Sequence, residues 1–227
     1  MSDQSLELLF ESEAKVKLLK LFLRNDGFKF TASEVRSRAQ IDISAAKSNL
    51  EKLRLAGFLK SYSKKEEKII VREVRVVKKE KNKKPKISIV KRRRKKEVIE
   101  KVYFINPHFV FFNELRDLVL KSSPASKSRI LSRSKGLGRV KMLVLSGIFL
   151  RVDRQLSRTD LLMVADDVSE KRFQKFLRHL EAEVGCEIQF SLMSSDEFYY
   201  RHKMLDRFLR DILERPHEVL INKLGAL

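Results

Sequence analysis

The chain reads as an α+β protein in two parts, and three features of the sequence predict it. Residues 12–57 hold three successive runs of apolar residues at helical spacing, and two stretches of alternating apolar and polar residues follow them. Residues 125–227 instead alternate helical and strand patterns. Between the parts, Ser122-Ser123-Pro124-Ala125-Ser126 interrupts both periodicities. A length of 227 residues suits one large domain or two small ones, and a hydrophobic fraction of 43% is enough to bury ordinary cores.

A first helix is expected over Ser12–Arg24, where Val16, Leu19, Phe22 and Leu23 recur at helical spacing and Asn25-Asp26-Gly27 supplies a stop. Thr31-x-x-Glu34 has the form of a capping box and opens a short helix with Val35 and Ala39 one turn apart. A third helix begins near Ser44, buries Ala46, Leu50 and Leu53, and stops at Gly57. Its opposite face shows Ser44, Ala45, Lys47, Ser48, Glu51 and Lys52, small and polar enough to enter a major groove. Strands are expected over Leu59–Val77 and Val98–Ile105. After the turn at Asn106-Pro107 comes a connector helix (residues 106–124 with its linker) striped by Phe112, Leu115 and Val119 and widened by Phe111 and Leu118. Such a stripe should pack on the first part or on a neighbouring chain. The second part is expected to run as a helix near 125–135, strands 140–149 and 159–165, a helix 169–183, a strand 186–193, one or two helices through 213, and a strand 217–222. Ser169 and Ser195 are the expected N-caps in this half.

The formal net charge is +20, from 50 Lys+Arg against 30 Asp+Glu. Residues 78–97 alone hold twelve basic and two acidic side chains, half of that excess. Like-charge repulsion keeps such a segment extended until an anion neutralises it, so nucleic acid is the expected partner, ahead of a membrane surface or an acidic protein patch. The apolar run Val140–Leu150 is far short of the ~18 residues that span a bilayer, so no membrane insertion is expected. The N-terminus lacks a signal-peptide layout, and a lone Cys186 cannot form an intramolecular disulfide, which fits a cytoplasmic location.

The order helix, helix, helix, strand, loop, strand, with Thr31-Ala32-Ser33-Glu34-Val35 and Ser44-x5-Leu50-x2-Leu53-x3-Gly57-Phe58-Leu59, resembles the winged-helix domain of bacterial and archaeal regulators over residues 1–105. The resemblance implies double-stranded DNA as partner, with helix three reading bases through Ser44, Lys47, Ser48 and Lys52. It makes residues 78–97 an enlarged wing tip, whose Lys83, Lys84, Lys86, Lys91, Arg92, Arg93, Arg94, Lys95 and Lys96 would contact phosphates or reach into the minor groove. A homodimer is expected on paired half-sites; RNA or a protein partner stays open as an alternative.

Residues 125–227 resemble the minimal, kanamycin-nucleotidyltransferase-like form of the nucleotidyltransferase superfamily. The matching residues are Leu145-Ser146-Gly147, then Ser157-Arg158-Thr159-Asp160-Leu161-Leu162-Met163-Val164, Glu187-Ile188-Gln189-Phe190, Ser194-Ser195-Asp196-Glu197-Phe198 and Asp206-Arg207-Phe208-Leu209-Arg210-Asp211-Ile212-Leu213. The resemblance implies an α/β sheet domain. Active members carry Gly-Ser after the first strand and Asp-x-Asp on the second, to hold two Mg²⁺ ions. Here Ile148 follows Gly147, Arg158 stands in place of the first Asp, Asp160 is left alone, and Glu187 is the candidate third carboxylate. The degenerate site is therefore Gly147, Arg158, Asp160 and Glu187, with no catalytic residue, metal ligand or cofactor assigned to it. Arg158 either offers a fork to a nucleotide phosphate or pairs with Asp160 two residues along the strand.

The expectation for the whole chain is a DNA-binding transcriptional regulator with a non-catalytic nucleotidyltransferase-like domain for dimerisation, partner binding or nucleotide sensing. The alternatives are an active Mg²⁺-dependent nucleotidyltransferase and an RNA- or ribosome-associated binder. The remaining polar motifs suit structure better. Asp166-Asp167 reads as turn chemistry and helix-dipole complement, and His108, His179, His202 and His217 are dispersed. Lys135-Gly136-Leu137-Gly138 lacks the ending of a phosphate loop.

Overall fold

A short helix, α1 (Ser5–Leu9), precedes α2 (Glu13–Arg24), which starts where the Ser12 hydroxyl accepts the Lys15 amide. The structure is a computed structural model; it describes residues 5–78, 86–122, 124–150 and 157–225, and within these the side chains of 68–78 and 86–96 are outside the description. After β1 (Phe30–Thr31), the expected capping box forms: Thr31 Oγ1 accepts the Glu34 amide and the Glu34 carboxylate accepts the Thr31 amide, opening α3 (Ala32–Ala39). Asp42 caps α4 (Ile43–Leu55), and Gly57, at φ +85°, turns the chain out of it. The two long strands β2 (Leu59–Lys78) and β3 (Lys86–Ile105) then pair antiparallel, with β1 on the other side of β3. Leu18, Leu19, Phe22, Phe30, Val35, Leu50, Phe58 and Tyr103 are buried together beneath this sheet. The connector helix, α5 (Phe112–Leu120), joins the same core through Val119, with Phe112 and Leu115 packed against it, while Phe111 and Leu118 stay exposed.

The basic segment departs from its expected form. Most of it is not a loop: Lys86–Glu97 continues β3, in register with β2 out to the Lys78↔Lys86 pair. The reason is the β-branched content of both strands, Ile69, Ile70, Val71, Val74, Val76 and Val77 in one and Ile87, Ile89, Val90 and Val98 in the other, which favours extended pairing over repulsion. Lys86, Lys91, Arg92, Arg93, Arg94, Lys95 and Lys96 thus occupy strand positions, though their side chains lie outside the described residues; Lys83 and Lys84 lie outside them altogether. Twenty residues per strand make a ribbon about 65 Å long.

The second half runs α6 (Lys127–Ser134), β4 (Arg139–Leu145), β5 (Leu161–Asp166), α7 (Glu170–Val184), β6 (Phe190–Met193), α8 (Ser195–Lys203), α9 (Arg207–Leu213) and β7 (Glu218–Asn222). The sheet order is β6-β5-β4-β7, with β5 and β6 parallel across the α7 crossover and the other pairs antiparallel. Alternation along β4 and β5 sends Leu143, Leu145, Leu161 and Met163 to the side of α7, against Phe173, Leu177 and Leu180. Met142, Val144, Leu162 and Val164 face the other way, against Phe198, Leu209 and Ile212 of α8 and α9. Two expected strands are shorter than their apolar runs. The first ends at Leu145, with Gly147–Leu150 in a 3-10 turn. The third starts only at Phe190, because Gly185 caps α7 at φ +93° and the chain must first cross back to β5.

The halves touch directly. Helices α2 and α3 pack on α7, and the Asn25 side-chain amide donates to Gly185 O at 2.7 Å. Buried Lys20 donates to Pro124 O at 2.9 Å, and burial pushes its ammonium down to about 8. Arg129 forks onto Glu7 at 2.9 and 2.8 Å, beside the buried Glu183 that Arg133 also holds. Among the described residues, no helix is long and apolar enough to cross a membrane.

Candidate nucleic-acid interface and the Asp160 site

On α4, the burial of Ala46, Leu50 and Leu53 turns Ser44, Lys47, Ser48 and Lys52 to solvent, so the four residues expected to read bases do share an exposed face. Two details differ from the expected face. The Ser44 hydroxyl is engaged by the Asp42 carboxylate at 2.5 Å, within the same cap that orders the first turn; these bonds lower the pKa of Asp42. Glu51 does not join the exposed face but turns to the ribbon. It accepts the Tyr103 hydroxyl at 2.6 Å, Lys101 Nζ at 3.0 Å and Arg54 Nε at 2.8 Å.

That carboxylate therefore fixes α4 against the base of β3. The Tyr103 hydroxyl, then Arg54 and Lys101, hold the Glu51 pKa down to about 2, while burial and then Glu51 push the Tyr103 phenol up. The cleft between α4 and β3, about 530 Å³, is walled by Ile43, Lys47, Glu51, Ile99 and Lys101. Tyr103, Lys101 and Arg54 were not anticipated from the sequence. The available signals were local only: Arg54 follows Glu51 by three on a helix, and Lys101 and Tyr103 share one strand face.

In the second half, Asp160 is buried at 1% exposure. Its Oδ1 accepts the Ile148 amide at 2.9 Å and its Oδ2 the Gln189 amide at 3.0 Å. Gly147, at φ +51°, lies so close that a Cβ would collide with Asp160 Oδ1, and it would also stand 3.1 Å from Ser157 Oγ. Gly147 and Asp160 are thus brought together as a structural pair. The other two residues are not. Arg158 bonds Asp211 Oδ2 at 3.1 Å instead of Asp160, and exposed Glu187 lies 3.8 Å from Arg38 of α3. Of the two readings of Arg158, the ion pair with Asp160 does not form: Asp160 is turned inward to the backbone amides, and Asp211 takes the guanidinium. Both oxygens of Asp160 thus accept amide protons, and Arg158 stands two residues before it in the chain.

Asp166 also binds backbone, accepting the Ser195 amide at 2.9 Å and its hydroxyl at 2.8 Å, which lowers its pKa. It complements the start of α8, while Ser194, one residue before the expected cap, accepts the Glu197 amide. Ser169 stands at the N-cap of α7 without a side-chain cap bond. Comparison of the chain with protein-family models, with curated proteins and with solved structures returns no match.

Proposed function

We propose that the chain is a DNA-binding transcriptional regulator that seats α4 in the major groove of a duplex and lays the β2–β3 ribbon along the phosphates. The observation that carries this reading is the position of the basic run Lys91–Lys96 in a paired ribbon that leaves the same three-helix unit as α4. The register sets Lys68 opposite Lys96, Arg72 opposite Arg92 and Lys78 opposite Lys86. Like charges in directly opposed positions weaken a ribbon, and a polyanion relieves them. The inward turn of Asp160 and the Arg158–Asp211 pair support a non-catalytic second half, serving dimerisation, partner binding or nucleotide sensing.

Duplex affinity measured across a salt series tests the reading. Each phosphate contact removed by Lys47→Ala, Lys52→Ala or serine replacement of residues 91–96 should flatten the slope of log affinity against log salt by ~0.9. No duplex affinity at low salt, or a slope indifferent to all three changes, overturns it. Structured RNA that outcompetes duplex at matched salt would replace DNA with RNA. Nucleotidyl transfer in Mg²⁺ that Asp160→Ala abolishes would overturn the non-catalytic assignment.

A further inference from the structure

The base of the ribbon has two faces, and α4 covers one. Cross-strand partners share a face, so Tyr103 and Lys101, which hold Glu51 of α4, stand on the first. Tyr62 and Phe104, diagonal neighbours across the Lys60↔Phe104 and Tyr62↔Val102 pairs, stand on the second. Their ring centroids are 6.1 Å apart, and Lys29 Nζ lies 5.3 Å from one and 5.5 Å from the other. Phe104 also walls a cavity of about 350 Å³ together with Phe28, Phe112, Pro107 and Asp26. Phe28 is stacked on Phe30 at 6.4 Å yet remains 62% exposed, and Tyr62 is 43% exposed.

Scattered exposed apolar side chains are ordinary, but exposed rings beside a cavity and under an ammonium form a specific combination. Flat apolar rings offer a π-face to any base, and a neighbouring cation meets its phosphate. The cavity lies at the small end of ligand pockets, ~300–1,000 Å³. Charge selects among flat or apolar occupants: Lys29 and exposed Lys60 flank the rings on a chain of net charge +20, which favours an anion over an apolar peptide.

We propose that this second face binds single-stranded nucleic acid, an unpaired base stacking against Phe28 and Phe104 with Lys29 on the adjoining phosphate. It goes beyond the duplex reading and uses different residues, so either can fail alone.

The chain contains no tryptophan, so Phe28→Trp places a sole reporter at the site. Its emission should be quenched by oligothymidylate or oligouridylate, and not by a duplex or by an abasic strand of equal length; the stronger quencher identifies DNA or RNA as the source. Phe28→Ala and Tyr62→Ala should each weaken oligothymidylate or oligouridylate binding about 5- to 150-fold and leave duplex affinity unchanged. Lys47→Ala should do the reverse. An abasic strand that binds as tightly as oligothymidylate, or a Phe28→Ala protein that keeps its single-strand affinity, overturns the proposal. So does bound strand with unaltered Phe28→Trp emission.

Discussion

Asp160 illustrates how a carboxylate left alone in a degenerate motif can serve backbone geometry. Its two oxygens tie the turn after β4 to the segment entering β6, and Gly147 leaves room for one of them. Removing the carboxylate orphans the buried Ile148 amide, at about 1–3 kcal/mol, and the part-buried Gln189 amide, which costs less. Asp160→Ala should therefore lower stability by about 2–4 kcal/mol in urea unfolding, and Asp160→Asn by less, since one acceptor oxygen survives. Gly147→Ala should destabilise as well, because the φ of +51° and the collision act together. An Asp160→Ala protein with an unchanged midpoint would refute the role. Sequence expects Asp160 within a strand over 159–165; the strand starts one residue after it, at Leu161, and only packing decides that the Asp160 carboxylate turns inward.

At the scale of elements, the joint between α4 and the ribbon is held by Glu51, and its pH dependence follows from the depressed pKa. A carboxylate held at about 2 when folded, against 4.5 unfolded, contributes stability above pH 4.5 and loses it as the pH falls toward 2. Wild-type protein should lose stability across that window, and Glu51→Gln should be less stable at neutral pH with a flatter acid limb. An identical acid limb in both would remove the joint from the account. What was legible in the sequence divides along contact distance. The Thr31–Glu34 capping box needs only residues three apart and forms as expected, and the Ser12 cap, which was not expected, has the same short span. The helical stripes of α2, α4 and α7 likewise follow from local period, whereas β4 and β5 are nearly continuous apolar runs whose two faces only the packing distinguishes. Glu51–Tyr103 spans 52 positions and Arg158–Asp211 spans 53, and no local pattern encodes such partners. The basic segment was read as a loop because its charge density is obvious locally, whereas the pairing that extends β3 depends on β2.

For the molecule as a whole, the two halves meet where α2 crosses the end of α7. A Cβ on Gly185 would stand 2.6 Å from Lys20 C and 2.8 Å from Leu21 N, both backbone atoms that cannot rotate away. Gly185→Ala should therefore push the halves apart, splitting one thermal unfolding transition into two and exposing residues 121–126 to limited proteolysis. A single transition at the wild-type temperature would show that the contact does not couple them. One consequence of the ribbon concerns the protein's behaviour in solution. Among the described residues, strand β2 pairs with β3 and with no second strand, which leaves its outer edge as the edge of the sheet. An edge of this kind is a template on which a second copy can anneal. The density of Lys and Arg that attracts a polyanion is then also what keeps two such arms from zipping together, and screening it weakens both effects at once.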